Sequence, residues 1–199
     1  DIGFTSVVLV PVAMKDNVDE LGDIIRFAQE NIDVVRGVNF QPIAFTGRIE
    51  NIDEDYRKQQ RVDYSTLMKS IEESLNGEIR KEDWYPTPFV YPISKLVENL
   101  KNEKQVEFTA HPGCGGATYV FDKDGELLPI TKFLDVEKFM KLIENLSETK
   151  GRFKRAKMAT KVMKNISEIV DEKKSPEGFS VKEILTNIVT KGSYEALGK

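Results

Sequence analysis

The sequence predicts a mixed α/β fold, with a parallel β-α-β unit first, an α+β segment with a small β-hairpin in the middle, and a helical tail. Three observations predict it. Two apolar runs rich in β-branched residues flank an amphipathic segment near the start of the chain. Turn residues separate two short strand-like runs near residue 125, and the segments beyond residue 135 have apolar residues at helical spacing.

The first unit occupies residues 5–43. Residues 5–12 are apolar on both faces, as expected of a parallel strand that is covered on both sides. Residues 18–30 have helical periodicity, with acidic residues near the start, where the helix dipole favours them. A second strand is predicted over 34–43. The spacing suits a right-handed crossover, so we expect the two strands to pair in parallel with the helix packed on one face.

The middle of the chain is more irregular. Residues 44–63 are polar and predict a long loop with one helical turn, and residues 64–75 predict a helix that begins with Ser65 as its N-cap. Residues 83–95 contain three prolines among four aromatic residues, which predicts an extended segment before a short helix over 94–100. Strands over 105–109, 118–121 and 127–130 complete this part, the last two forming a hairpin around 122–125.

Three helices are predicted in the C-terminal part of the chain, over 136–146, 153–170 and 181–189. The chain therefore divides into a β-α-β portion (1–48), a linker with an α+β segment that contains the glycine-rich loop (49–150), and a helical tail (151–199).

Composition restricts the function. The 199 residues include 29 basic and 33 acidic side chains, and a net charge of -4 gives no global attraction for nucleic acid. One Cys and one His exclude an internal disulfide and any Cys/His metal site completed within the chain. There is no signal sequence or membrane-length apolar run, so a cytoplasmic location is expected. Because the sequence begins with Asp1 and opens almost at once into a strand, we expect a fragment of a longer protein.

The single His and the single Cys lie together in the loop 111–116. Cys114, flanked by glycine, could offer a thiolate to a metal or an iron–sulfur cluster, because glycine lets the backbone approach the sulfur atoms closely. Alternatively, Cys114 is a small buried hydrophobic residue and His111 caps a strand end. A Cys–His hydrolase is a third interpretation, but no orienting Asn or Asp is evident.

Two amides, Asn39 and Gln41, lie at the carboxyl end of the second predicted strand, where α/β sheets place their ligand sites. They lie two residues apart, so they share one face, and Phe40 points to the other. Arg48 could join them as a clamp for a carboxylate or phosphate. The alternatives are that both amides only end the strand and bond loop backbone, and that Arg48 faces solvent.

Two other segments allow two interpretations each. The aromatic, proline-rich segment 84–92 could line an apolar substrate groove or simply cover the core. The basic helix over 153–164 could meet phosphates or the surface of an anionic membrane, or it could present a solvated face.

Three stretches of sequence resemble one enzyme family, and the match extends along nearly the whole chain. They are VVRGVNFQPIAFTGR at 34–48, WYPTP at 84–88 with PIS at 92–94, and HPGCGGATYVF at 111–121, with GSYEALG at 192–198 in addition. The chain resembles archaeal radical S-adenosylmethionine (SAM) enzymes, the group that includes tetraether lipid synthase and proteins assigned as dihydropterin methyltransferases.

The resemblance implies that the chain is the later part of a partial (β/α) radical SAM barrel, with 1–48 as its last β-α-β portion. It places the strand of Asn39 and Gln41 near SAM, and it makes Cys114 one ligand of an auxiliary [4Fe-4S] cluster. The family's Cys-x3-Cys-x2-Cys motif for the catalytic cluster is absent. Most cluster ligands should therefore lie outside this chain, and the isolated fragment should be inactive.

The implied function of the full-length parent is to generate a 5′-deoxyadenosyl radical for C–C bond formation or methylation, with lipid alkyl chains as the expected substrate. The expected partners are a small-molecule or lipid substrate, the remainder of the parent polypeptide, a membrane surface in peripheral contact, and further copies of the fragment. No catalytic residue is nominated within the chain. The alternative is a non-catalytic α/β ligand-binding or scaffold domain with a structural cysteine.

Overall fold

The computed structural model describes residues 3, 5–46, 52–107, 110–111, 113 and 115–191. Its strands are β1 (Val7–Leu9), β2 (Val12–Ala13), β3 (Val35–Val38), β4 (Gln41–Pro42), β5 (Tyr85–Pro86), β6 (Gly116–Ala117), β7 (Val120–Lys123) and β8 (Glu126–Pro129). Its α-helices are α1 (Leu21–Glu30), α2 (Glu54–Gln60), α3 (Tyr64–Ser74), α4 (Tyr91–Lys101), α5 (Val136–Ser147), α6 (Lys154–Asn165) and α7 (Val181–Lys191).

The chain forms two compact units. The first contains Asp1–Trp84 together with Asp122–Leu128, and the second contains Tyr85–Phe121 together with Pro129–Lys199. Each sheet in the described part of the chain has two strands. The partial barrel, and the boundaries near residues 48 and 150, stay predictions.

In the first unit, the predicted parallel pairing is confirmed: β1 pairs with β3 and β2 pairs with β4, both in parallel. Both predicted strands are interrupted, at Val10-Pro11 and at Asn39-Phe40. The hydrogen bonds nevertheless continue through the interruptions, because the N–H groups of residues 39, 41 and 43 donate to the carbonyls of residues 9, 11 and 13. The register is therefore constant from Leu9 to Ala13.

Helix α1 connects the strands and packs on β3 and on α3, as the sequence predicts for the crossover helix. The approach of α1 to α3 is close: a Cβ built on Gly22 would lie 2.2 Å from Ser74 Oγ. A glycine is therefore needed there for spatial reasons. Leu21, Leu67 and Ile71 are buried within this unit.

Two expectations for this unit were wrong. The predicted loop over 44–63 contains the two-turn helix α2, which Asp53 caps by accepting from the Tyr56 N–H at 2.7 Å. The cap of α3 is Asp63, whose carboxylate accepts from the Thr66 N–H at 2.7 Å, and not Ser65. The Asp side chains supply the missing partners for helix N–H groups, a signal that the hydrophobic pattern does not carry.

In the second unit, α4 packs on α5, and α6 packs on α7. The prediction of an extended segment over 83–95 holds only at β5, because Thr87–Val90 form a 3-10 helix and α4 begins at Tyr91, three residues earlier than the sequence suggests. Pro92 lies in the first turn, where proline leaves no helical hydrogen bond unmade. Residues 105–107 do not form the predicted strand.

The three predicted C-terminal helices are confirmed as α5, α6 and α7, although α6 ends at Asn165 and continues only as a 3-10 turn to Glu168. The rings of Phe121, Phe133 and Phe179 pack against one another, with centroids 4.7 to 5.8 Å apart. The hairpin is also confirmed, with its turn at Asp124-Gly125, where both residues have positive φ.

Glu78 attaches the hairpin tip to the rest of the first unit. One of its carboxylate oxygens pairs with Arg26, and the other accepts from the Leu127 N–H at 2.7 Å. Burial raises the pKa of Glu78, but the hydrogen bonds from Arg26 and Leu127 outweigh it, so that the pKa lies below the ordinary value of 4.5.

We expect Glu78→Gln to lower the free energy of unfolding by about 1 kcal/mol at neutral pH. A depressed carboxyl pKa contributes stability above its unfolded value, and the contribution disappears as the pH falls through the folded value. The difference in unfolding free energy between the parent and the variant should therefore disappear at pH values below 4.5. Urea unfolding of the chain at a series of pH values measures it.

Glu73→Gln is the matched control, because its partner Lys69 is solvent-exposed and lies 3.6 Å away. Its effect should be small at every pH. If Glu78→Gln lowered the free energy of unfolding by the same amount at every pH, the result would contradict the assigned role of the carboxylate.

Candidate functional site

The parallel register assigns each strand residue of the first unit to one face. Leu9 lies opposite Val38, and Val12 lies opposite Gln41. Because side chains alternate along a strand, Asn39 and Gln41 share a face with Val8, Val10 and Val12. Phe40 shares the other face with Leu9 and Ala13.

The two faces differ in burial. Ala13 is fully buried, and Leu9 borders α1 in a groove with Ile24 and Phe27. By contrast, Val8, Val10 and Val12 are 54%, 53% and 46% exposed, and Asn39 and Gln41 are exposed as well. We call the face formed by Val8, Val10, Val12, Gly37, Asn39 and Gln41 the open face. Helix α1 lies on the opposite side.

The open face corrects one expectation and agrees with another. The sequence predicts a first strand covered on both sides, but the described residues cover only one side, because the only helix between the two strands lies there. The predicted division of the second strand is confirmed, with both amides on one face and a half-buried Phe40 on the helix side. The valines were not predicted to be site residues, and their apolar character gave no signal that they would face outward.

The side chains of Asn39 and Gln41 are exposed. Their backbone N–H groups are used in the ladder, donating to Leu9 and Pro11 at 2.8 and 3.0 Å. Within the described residues, neither side-chain amide has a hydrogen-bond partner. This observation does not favour the interpretation that they bond loop backbone. Their proposed roles in binding stay predictions.

The other predicted site residues, Arg48 and Cys114, lie outside the described residues. Beside Cys114, His111 is exposed, and its Nδ1 accepts from the Gly113 N–H at 3.1 Å. The loop joins the aromatic segment through the pairing of β5 with β6 and through Thr87, whose N–H donates to the Gly115 carbonyl at 3.1 Å. The proline-rich segment therefore supports the glycine-rich loop.

The residues present do not fit an iron–sulfur cluster by themselves. The described residues contain no group of three or more His, Cys, Asp or Glu side chains arranged to hold a metal ion, and the whole sequence has one cysteine. A cluster would need thiolates from outside this chain.

A groove of about 680 Å³ in the second unit is also a poor ligand site. It lies along the ends of α4 and α5 and is lined mainly by charged side chains. Lys95 in this groove pairs with Glu98 and Glu107, and the hydrogen bond that its ammonium donates to Glu107 is the main reason why the pKa of Lys95 is raised. Ion pairs of this kind leave few polar groups available for a ligand.

The basic helix α6 uses its cations inside the second unit. The Lys154 ammonium donates to the Asn99 backbone carbonyl, to Asn99 Oδ1 at 3.0 Å and to Asn102 Oδ1 at 2.8 Å. Lys161 donates to the Asn145 carbonyl and to Thr149 Oγ1, each at 3.0 Å. Asn99 in turn donates to the Ser147 and Thr149 carbonyls at 2.5 and 2.9 Å.

These bonds satisfy backbone carbonyls at the C-terminal ends of α4 and α5, which have no partners within their own helices. A cation there also opposes the negative end of the helix dipole. The geometry therefore favours a structural role for Lys154 and Lys161 over contact with phosphates or a membrane. Across the described ranges, no helix combines the length and the hydropathy that spanning a membrane requires.

Lys154→Met should lower the free energy of unfolding by about 1–3 kcal/mol, because the Asn99 carbonyl and two side-chain amides lose their charged donor. Thermal unfolding of the chain, followed by circular dichroism, measures the loss. Lys157→Met is the control on the same helix, since Lys157 is exposed. Equal effects of the two substitutions would refute the assigned capping role.

Asn39 and Gln41 lie toward the carboxyl end of a parallel strand, which is the end at which α/β enzymes bind their ligands. No family model matches the chain. The chain is, however, 43% identical over 204 residues to the 7,8-dihydro-6-hydroxymethylpterin dimethyltransferase of Methanocaldococcus jannaschii. The alignment covers the whole of this chain and 40% of that relative, so the chain spans about two fifths of its length.

The comparison supports the dihydropterin methyltransferase part of the predicted resemblance, since the chain is similar to a portion of a protein named as such. It gives no support to a lipid substrate.

Proposed function

We propose that this chain is part of a radical SAM methyltransferase that methylates a pterin. The observation that carries the proposal is the 43% identity that extends over the entire chain, including the open face, to a dihydropterin dimethyltransferase. The relative's acceptor is a flat, neutral heterocycle, whereas the lipid expected from the sequence is a flexible alkyl chain. We therefore propose the pterin in place of the lipid.

The proposed contribution of this chain is to bind ligands. Asn39 and Gln41 present free amides on the open face, and Arg48 follows them closely in sequence. Neutral amides and a guanidinium can bond the polar groups of SAM or of the acceptor. SAM supplies the reactive group when it is bound.

The iron–sulfur chemistry of the proposed enzyme comes mainly from outside the chain. Because the described residues do not fit a cluster, we assign no step of the reaction to them. Cys114 is proposed as one ligand of an auxiliary [4Fe-4S] cluster, with the remaining thiolates on other parts of the parent polypeptide.

We expect the full-length protein, given SAM and a strong reductant under anaerobic conditions, to methylate 6-hydroxymethyl-7,8-dihydropterin. Mass spectrometry should show the pterin heavier by one or two CH2 units, because each added methyl group replaces a hydrogen atom. The 199-residue chain alone serves as the control and should give no product. Methylation of an alkyl lipid with no reaction on the pterin would overturn the proposed acceptor, and no turnover of either would favour a non-catalytic binding or scaffold domain.

Cys114→Ala in the full-length protein should lower the iron content by about one cluster, or roughly four iron atoms per polypeptide. The catalytic cluster should remain, because its ligands are separate. Iron and sulfide analysis of the anaerobically purified protein measures this.

His111→Ala is the neighbouring control and should keep the full iron content. If the Cys114→Ala protein also keeps the full iron content, Cys114 is a structural residue and not a ligand.

A further inference from the structure

We infer that the open face binds the pterin ring itself, with the valines as an apolar floor and the Asn39 and Gln41 side chains at the polar edge of the ring. This inference rests on the proposed function and deepens it, because it assigns one substrate to one surface. The other two ligands considered for this face are SAM and an alkyl chain.

The open face has a row of apolar side chains along one strand. Val8, Val10 and Val12 project from one strand at every second position, each about half exposed. Next to them, Gly37 adds no side chain: a Cβ built there would lie 3.8 Å from both Val8 methyl groups, which confirms that it belongs to this face. A row of β-branched side chains beside a glycine gives a planar ligand a broad contact area.

Two carboxamides border this floor. Asn39 and Gln41 lie two residues apart on the neighbouring strand, so their Cα atoms are about 6.5 Å apart. The pyrimidine part of a dihydropterin carries N–H donors and a carbonyl acceptor side by side, and one carboxamide can pair with both, as Asn and Gln do with the edge of adenine. The second amide can reach another ring nitrogen.

The charge of the face distinguishes the candidate ligands. Val8, Val10, Val12, Gly37, Asn39 and Gln41 are all neutral. SAM carries a sulfonium, an ammonium and a carboxylate, and these groups are costly to desolvate on a neutral surface. A dihydropterin is neutral near pH 7, so it can bind there with little electrostatic penalty.

An alkyl chain fits the face less well. It would cover the valines, but it would also remove water from the two amides and offer no replacement hydrogen bonds. Within the described residues, neither amide has a protein partner that could compensate. The pterin satisfies both parts of the surface.

The experiment is equilibrium binding of 6-hydroxymethyl-7,8-dihydropterin to the full-length protein, with SAM titrated separately. Asn39→Ala and Gln41→Ala should each raise the Kd for the pterin by about 10-fold, and the Kd for SAM should stay within about twofold. Gln59→Ala is the matched control, since Gln59 is an exposed amide on α2 of the same unit. Circular dichroism should show unchanged folding, because both substituted side chains are exposed.

Each result has a distinct meaning. If the SAM affinity falls and the pterin affinity does not, the open face binds the cofactor and the inference is overturned. If neither affinity changes, the face is not a ligand site, although pterin methylation can still stand. If the unsubstituted protein does not bind the pterin at all, the proposed function fails first, and the inference fails with it.

Discussion

The hydrogen-bond ladder between the two N-terminal strands is the constraint on which the candidate site depends. The N–H groups of residues 39, 41 and 43 donate to carbonyls two residues apart on the neighbouring strand, across the points where regular strand geometry is interrupted. Since side chains alternate along a strand, this register alone decides that Asn39 and Gln41 face away from α1 and that Phe40 faces the helix side. A shift by one residue would exchange them and place two amides against the helix.

The second unit depends on a different interaction, the hydrogen bonds that lysine ammonium groups donate to carbonyls at helix ends. Helices α4 and α5 end close to α6, and their final carbonyls need donors. Lys154 and Lys161 on α6, together with Asn99 on α4, supply them. The basic sequence of α6 suggests a surface for anions, but two of its lysines instead form hydrogen bonds that connect three helices.

The proposed preference for a pterin over a lipid rests on the chemistry of the open face. Apolar contact alone would suit a lipid, and charged groups would suit SAM, but the open face combines valines with uncharged amides. Similarity to a dihydropterin dimethyltransferase agrees with this chemistry, since a pterin has a flat ring and an edge of hydrogen-bonding groups. The alignment supplies the candidate ligand, and the placement of the side chains supplies the reason for assigning it to the open face.

The sequence by itself determined the β-α-β unit, the hairpin, the three C-terminal helices and the shared face of Asn39 and Gln41, because these follow from local periodicity, turn residues and the alternation of a strand. It missed α2 and the Asp63 cap, which depend on single side-chain hydrogen bonds. Only the tertiary structure decided that Val8, Val10 and Val12 are exposed and that Lys154 and Lys161 are used internally. The physical reason is that exposure and pairing depend on which segments lie nearby in space, and an apolar run or a basic helix has the same sequence pattern whether or not a neighbour covers it.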